Sequence, residues 1–144
     1  MKTSNENGFT VIEALFAIVI LTIALVSLAE LMAITLRLQM LGRNQTAAAR
    51  LAQDKIDELM NQNFNTAPAV QIGGDLASNQ TDYWDVPEGG RYTRRWVVAP
   101  GPVDPPVPAN SVRVLTIRVT PTVNDLRTST PVEVTTLIRC WPCA

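Results

Sequence analysis

The sequence predicts an α+β protein in which one long amino-terminal helix packs on a small antiparallel β-sheet. Three observations support this prediction. An apolar run without any charged residue occupies residues 14–29, and a stripe of apolar residues at helical spacing follows it. Three runs rich in alternating or β-branched residues come later in the chain. A helix and a sheet that are each apolar on one face bury those faces against each other.

The apolar run predicts a helix long enough to cross a membrane. Its 16 uncharged residues correspond to about 24 Å of helix. Beyond Glu30 the apolar character resumes as far as Leu36. Residues 9–36 together can therefore cross a hydrocarbon core of about 30 Å with some tilt. No proline precedes Pro68, and the helical pattern fails only near residues 61–66.

The second half of the helix predicts a contact with the sheet. Apolar residues recur there every three or four positions, apart from one gap of seven: Leu38, Leu41, Ala48, Ala52, Ile56 and Leu59. Polar and charged residues occupy the other positions, which is typical of a helix with one face on a core. Gly42 weakens the helix by about 1 kcal/mol, and we expect it to mark the point where the apolar segment meets solvent.

Three segments predict the strands of an antiparallel meander: residues 91–99, 111–120 and 131–140. Their alternating apolar residues are expected to share one face. These residues are Tyr92, Trp96 and Val98, then Leu115, Ile117 and Val119, then Val132, Val134 and Ile138. Five prolines within residues 100–108 cannot donate ladder hydrogen bonds, so they predict a stiff projecting loop. Before the first strand we expect a loop of about 25 residues without regular structure.

Acidic residues in that loop allow two interpretations. Asp82, Asp85 and Glu88 are spaced three apart beside Tyr83 and Trp84, and oxygen ligands in a loop suit calcium. No further ligand pattern accompanies them, so we favour a solvated acidic loop. The sequence therefore predicts no metal and no other cofactor.

The composition argues against catalysis and against direct nucleic-acid binding. The 144-residue chain has no histidine, and its net charge of −1 comes with dispersed arginines rather than a basic patch. Its two cysteines, Cys140 and Cys143, follow the last predicted strand. They do not begin a helix, where the dipole would lower the pKa of a thiol. The pair favours a small structural disulfide or two exposed thiols over a redox site, and we expect the protein not to be an enzyme.

The residues around Gly8 resemble a known processing site. The segment Gly8-Phe9-Thr10-Val11-Ile12-Glu13-Ala14-Leu15 resembles that of type IV pilins and of the pseudopilins of type II secretion. The resemblance implies a pilin-like fold, cleavage between Gly8 and Phe9 by prepilin peptidase, and N-methylation of the new Phe9 amine. It also implies assembly into a helical filament through the apolar helix. The chain has no distant cysteine to close the larger carboxyl-terminal loop often found in pilins.

Glu13 has the clearest chemical role in this segment. A carboxylate at the entrance to an apolar helix costs a few kcal/mol. The freed amine of Phe9 on a neighbouring subunit can pair with it and fix the axial register between subunits, because methylation preserves the positive charge. An ordinary single-pass anchor is the alternative. A cleaved secretory signal fits poorly, because Glu6 opposes Lys2 and the apolar run is too long and carries Glu13.

The resemblance divides the chain into a leader peptide (1–8), a hydrophobic transmembrane and filament-core helix (9–37) and a periplasmic head (38–144). Arg37, Arg43 and Arg50 follow the apolar run, and the positive-inside rule would keep that side in the cytoplasm. The resemblance implies the opposite: an inner-membrane protein with a single span and its head in the periplasm. We follow the resemblance because the rule is a bias and these arginines are spread along one helix.

A minor subunit, which primes, caps or modifies a filament, is the expected role. The apolar helix lacks the central proline common in major pilins, and residues 51–59 look like PilV-type minor pilins and are similar to I-type pseudopilins. Implied partners are other minor and major pilins or pseudopilins, prepilin peptidase and the inner-membrane assembly platform. One rival is a single-pass, membrane-anchored periplasmic binding protein outside any filament. Another is a membrane-tethered thiol oxidoreductase.

Overall fold

The computed structural model describes residues 10–87, 89–102, 111–122 and 130–140. Its elements are α1 (Val11–Met60), β1 (Gly73–Gly74), β2 (Trp84–Asp85), β3 (Tyr92–Pro100), β4 (Val112–Pro121) and β5 (Val132–Arg139), with a 3₁₀ turn at Pro68–Val70. One long helix packs on a small antiparallel sheet, which confirms the predicted α+β, pilin-like arrangement. The chain divides into two compact units, Met1–Met40 and Leu41–Ala144.

The helix ends where its sequence pattern fails. The Asn61 side chain donates to the carbonyl of Asp57 (2.8 Å), the same acceptor that the Asn61 backbone N–H uses. The Asn63 side chain then accepts from the backbone N–H groups of Asn65 and Thr66. Asparagine offers the backbone these local bonds in place of helical ones, so α1 stops at Met60. Gly42 lies within the uninterrupted helix.

Three long strands form the body of the sheet in the order β3, β4, β5. Trp96 lies opposite Ile117, and Ile117 lies opposite Val134. Each of these strands differs from its predicted range by one residue at either end. The alternation in the sequence locates them well, because one face of each strand is apolar.

The connection between α1 and β3 is more ordered than the sequence suggests. It contains the 3₁₀ turn and the two-residue strands β1 and β2, which both pair with β3 and give a five-stranded sheet. Gly74 has a φ of +90°, and a Cβ on it would collide with the Trp96 carbonyl and the Tyr83 ring. Only glycine fits there. Strands of two residues are too short to show alternation, which is why the expectation of an unstructured loop was wrong.

The core lies between the second half of α1 and one face of the sheet. Ala48, Ala52, Ile56 and Leu59 are buried on the helix, as predicted. The buried side chains on the sheet and its connection are Val70, Trp96, Val98, Leu115, Ile117, Val119 and Ile138. Tyr92, Val132 and Val134 pack partly buried against them, so the predicted inward faces are confirmed. The prediction that Leu38 packs on the sheet is wrong. Its side chain is 63% exposed, and it belongs to the first compact unit, Met1–Met40.

A buried ionic cluster joins α1 to β2 and β3. The Lys55 ammonium lies 2.9 Å from Asp85 and 2.7 Å from Glu58. Arg94 donates to both oxygens of Asp85, at 2.6 and 2.8 Å. The Lys55 Nζ also lies 4.5 Å from the centroid of the Trp96 ring, where a cation is attracted to the aromatic face. Two cations and two carboxylates balance, and this makes the burial of Lys55 and Arg94 tolerable.

The same cluster sets the protonation of Asp85. Burial would raise the pKa of Asp85, but hydrogen bonds from Arg94 and Lys55 outweigh burial and hold the pKa below its ordinary value. The carboxylate therefore stays charged in the folded head at every pH near neutrality. Asp85 was expected in a solvated acidic loop, and that expectation is wrong: it lies in β2 with a side chain only 30% exposed.

Arg113 fixes the start of the connection to the sheet. Its Nη1 donates to the carbonyls of Phe64 and Val70, each at 2.7 Å. Its guanidinium lies 3.9 Å from the centroid of the Phe64 ring. The planar guanidinium can donate several hydrogen bonds and stack on a ring at the same time. The buried Arg113 side chain therefore satisfies the carbonyls of Phe64 and Val70, which lie outside the strands of the sheet.

The head is expected to fold without the apolar segment, because its core uses side chains from residue 48 onwards. A fragment of residues 38–144 should be soluble, give a far-ultraviolet spectrum with both helix and strand, and unfold cooperatively with heat. An insoluble fragment, or one without a cooperative transition, would contradict this boundary. Ile56→Asp is the matched variant that should abolish the transition, since it would place an unpaired charge against the sheet.

In that fragment, Asp85→Asn should lower the free energy of unfolding by about 3 kcal/mol, because it leaves the buried Arg94 without a carboxylate and Lys55 with only the half-exposed Glu58. Glu133→Gln is the control. It breaks the surface ion pair between Arg118 and Glu133, whose side chain is 44% exposed. It should lower the free energy of unfolding by less than about 1 kcal/mol. Denaturant titrations measure both. The loss of unfolding free energy caused by Asp85→Asn should be complete above about pH 4, the ordinary aspartate pKa. It should shrink as the pH falls through the lower pKa that Asp85 has in the folded protein. A loss of unfolding free energy that grows as the pH falls would refute the conclusion that Asp85 acts as a charged carboxylate.

Candidate functional site

The described part of the processing segment begins at Thr10, so the predicted cleavage and N-methylation sites at Gly8 and Phe9 lie outside it. Glu13 occupies the first turn of α1. The Thr10 carbonyl accepts from the backbone N–H groups of Glu13 (3.1 Å) and Ala14 (3.2 Å). The Glu13 side chain is exposed and lies at the positive end of the helix dipole, which favours a carboxylate. No ion pair joins the Glu13 carboxylate to another described residue.

The helix beyond Glu13 is apolar on all sides. Every large apolar side chain of residues 11–40 is between 52% and 81% exposed. Among the described residues, α1 is the one helix long and apolar enough to cross a membrane. A helix that is apolar all round is stable only where its whole circumference is covered, by lipid or by other protein.

The few hydroxyl groups of this segment satisfy themselves within the helix. Each donates to a carbonyl about one turn earlier: Thr22 to Val19 (2.8 Å), Ser27 to Ile23 (2.9 Å) and Thr35 to Leu31 (2.8 Å). A hydroxyl bonded in this way needs no water or partner side chain. The segment can therefore enter an apolar environment with no unsatisfied hydroxyl donor.

The other features singled out in the sequence have different outcomes. Both oxygens of Asp85 are engaged by cations, which leaves them unavailable to calcium, and no acidic or cysteine cluster suited to a metal occurs among the described residues. Glu88 and the proline-rich residues 103–108 lie outside the described ranges. Cys140 is buried and disulfide-bonded. Cys143 lies outside the described residues, so the pairing of the two stays a prediction.

An open groove of about 620 Å³ runs between the end of α1 and β5. Apolar side chains of Leu59, Phe64 and Leu137 line it together with the amides of Gln62 and Asn63. β5 is the last strand in the described sheet order, so the groove follows a sheet edge. Periodicity could not have located it, since it forms only when the turn after the helix meets the last strand.

The amino-terminal segment matches the family model of the prokaryotic N-terminal methylation motif over residues 3–29. Comparisons with curated proteins and with solved structures give no match. The match contains Gly8, Phe9 and Glu13 and supports a protein like the type IV pilins and pseudopilins. It suggests a structural subunit that assembles with other pilins and is processed by a prepilin peptidase. Together with the apolar helix, it fits a pilin anchored in the inner membrane.

Proposed function

We propose that the chain is a minor type IV pilin or minor pseudopilin, a subunit that primes, caps or modifies a pilus or a secretion pseudopilus. The observation that carries this proposal is the methylation motif over residues 3–29, which overlaps the start of a helix that is apolar on all sides over residues 11–40. Before assembly, lipid covers that helix and the head lies in the periplasm. After assembly, the helices of neighbouring subunits cover it instead.

Two features of the described residues favour a minor rather than a major subunit. α1 continues through residues 11–60 without the central proline common in major pilins. The connection before β3 is held by the Lys55, Asp85 and Arg94 ion pairs rather than by a calcium loop of the kind expected in the major pseudopilin. Residues 51–59 resemble both the PilV-type and the I-type subunits, so both remain within the proposal.

Glu13 is the proposed register residue. In the membrane its carboxylate lies near the interface, where its cost is limited. In an assembly it meets the amine of Phe9 on a neighbour, and the low dielectric of the bundle strengthens their attraction. A neighbour at any other height leaves both charges unpaired in an apolar medium, so the pair selects one height.

A membrane-anchored binding protein is the second candidate, favoured by the groove beside β5. Its lining is mixed, and it would suit an extended peptide that adds to the sheet edge. This candidate requires no processing at Gly8, which separates the two proposals experimentally.

Processing should produce a mature chain that starts at N-methylated Phe9. Intact-mass measurement on protein from a host with prepilin peptidase should give the mass without residues 1–8 plus one methyl group. Gly8→Ala should leave most of the chain uncleaved, whereas Asn7→Ala, at the neighbouring position, should be processed normally. An intact leader on the wild-type chain would exclude the pilin proposal and favour the anchored binding protein.

Glu13→Gln should weaken incorporation without affecting insertion. Glutamine keeps the size of the side chain but removes the charge, so recovery of partner pilins with the tagged chain should fall about tenfold, as expected for an interhelical bond in an apolar medium. Glu13→Asp should be intermediate, because the carboxylate stays but reaches less far. Membrane abundance should not change. Equal recovery of partners with all three chains would remove Glu13 from the assembly contact.

A further inference from the structure

The last strand of the described sheet is an open edge. β5 pairs with β4 without interruption over the whole of Val132–Arg139, and no other described strand pairs with it. The far edge of β3 is covered only by the two-residue strands β1 and β2. Proteins usually shorten, bend or charge a free edge so that no other strand adds to it. Residues 134–138 of β5 contain neither a charge nor a proline, so this edge is suited to accept a strand.

The hydrogen-bonding groups of this edge point away from the sheet. The backbone N–H of Cys140 donates to the Ser111 carbonyl (3.0 Å), and bonded pairs in an antiparallel ladder recur at every second residue. β5 therefore bonds to β4 through its even-numbered residues. The backbone groups of Glu133, Thr135 and Leu137 face outward, and they form no hydrogen bond within the described part of the chain. An added strand would satisfy all three residues.

The side chains beside this edge are apolar on both faces of the sheet. On the face that packs on α1, the groove of about 620 Å³ reaches the end of β5, where Leu59 and Ile138 line it. On the other face, Ala99, Val114 and Leu137 lie opposite one another across three strands. Leu137 ends this row at the edge and is 55% exposed. A strand beside β5 would cover Leu137 on one face and place its alternate side chains in the groove on the other.

Charges near the two ends of β5 define the chemistry of such a strand. Glu133 and Arg139 are both exposed, and their odd spacing along the strand sets them on the same face as Leu137. Arg118 contacts Glu133 from β4, so a base on the incoming strand would contact the carboxylate from its other side. Opposite charges directly across a ladder are favourable. The complementary antiparallel strand therefore begins with an acid opposite Arg139 and ends with a base opposite Glu133.

We propose that β5 and the adjoining groove bind an extended segment of a different protein, which adds to the sheet as an antiparallel strand. The segment carries apolar side chains opposite Leu137 and Ile138, between its acidic and basic ends. One strand fills the edge, so each subunit binds one partner. This contact lies in the head and is separate from the assembly contacts of the apolar helix.

The place of the groove gives the partner a position. Leu59 and Met60 line it and are the last two residues of α1, whereas the head's part of that helix begins at Leu41. This inference rests on the proposed function, in which the apolar segment before Leu41 lies in the membrane or the filament. The partner is then held on the side of the head away from the membrane.

A complementary peptide tests the site. Fluorescently labelled acetyl-Asp-Phe-Leu-Val-Thr-Val-Arg-amide is titrated against the full-length chain in mild detergent, and saturable binding is expected from its fluorescence anisotropy. One matched peptide exchanges the terminal aspartate and arginine, which places like charges opposite Glu133 and Arg139. A second has proline in place of threonine and lacks the N–H that would donate to the Thr135 carbonyl. Each should bind about tenfold more weakly.

Two variants of the chain separate the edge from the rest of the sheet surface. Leu137→Lys should weaken binding of the first peptide about tenfold, because it replaces an apolar contact at the edge by a charge. Ile72→Lys makes the same kind of change at a residue of similar exposure, 49%, beside β1 on the opposite edge. It should bind as the wild-type chain does.

Hydrogen exchange of individual amides reports the strand directly. Saturating peptide should slow exchange at Glu133, Thr135 and Leu137 about tenfold, because their N–H groups gain a partner. The amides of Val134 and Thr136 are already bonded to β4 and should slow much less. Equal slowing at all five positions would show general stabilisation of the head and would overturn strand addition.

The other results also decide between the possibilities. Absence of saturable binding, equal binding of the proline peptide, or weaker binding to Ile72→Lys would each overturn strand addition, and equal binding of the charge-exchanged peptide would overturn its antiparallel direction. Intact mass of the same samples, from a host with prepilin peptidase, reports the proposed function separately. A cleaved and methylated chain that does not bind would be a pilin without this site. An uncleaved chain that binds would support strand addition and overturn the pilin function on which the partner's position rests.

Discussion

One helix has to satisfy two environments, and the rest of the structure depends on that constraint. α1 is continuous from Val11 to Met60, yet only its second half has a buried face. The first part is apolar around its whole circumference and contributes no residue to the buried core of the head. Its cover must come from lipid or from other helices. The helix-bonded hydroxyls of Thr22, Ser27 and Thr35 and the scarcity of charges both follow from this requirement.

The head meets a different constraint, which is its small size. A sheet that packs half of one helix has few apolar residues with which to hold a long connection in place. The chain uses buried cations for that purpose. Lys55 and Arg94 converge on Asp85, and Arg113 donates to carbonyls at both ends of the turn after α1. Charge-assisted bonds are directional and strong, so three side chains order a segment that contributes only Val70 to the fully buried apolar core.

The regular elements were predictable because each has an apolar face with its own period. The helix and β3 to β5 follow from periods of 3.6 and 2. Leu38 was assigned to the core-facing stripe by mistake. The segment before it is apolar on every side, so a core-facing stripe cannot be distinguished there from the apolar surface around it. Lys55, Arg94 and Arg113 were missed because charged residues are normally solvated, although strand alternation sets Arg94 on the same side as Trp96 and Arg113 on the same side as Leu115. The position of Glu13 was predictable from its motif, and the structure places it in the first turn of α1.

Affinity and register have separate sources along α1. Apolar contact between helices is nearly independent of small axial shifts, because equivalent side chains recur with every turn. Charges in an apolar medium behave oppositely: an unpaired carboxylate costs several kcal/mol, more than one apolar contact returns. A small number of charges can therefore select one arrangement among many of similar apolar energy. In the proposed assembly, Glu13 is the charge that makes this selection, because it lies at the start of a helix that is otherwise apolar on all sides.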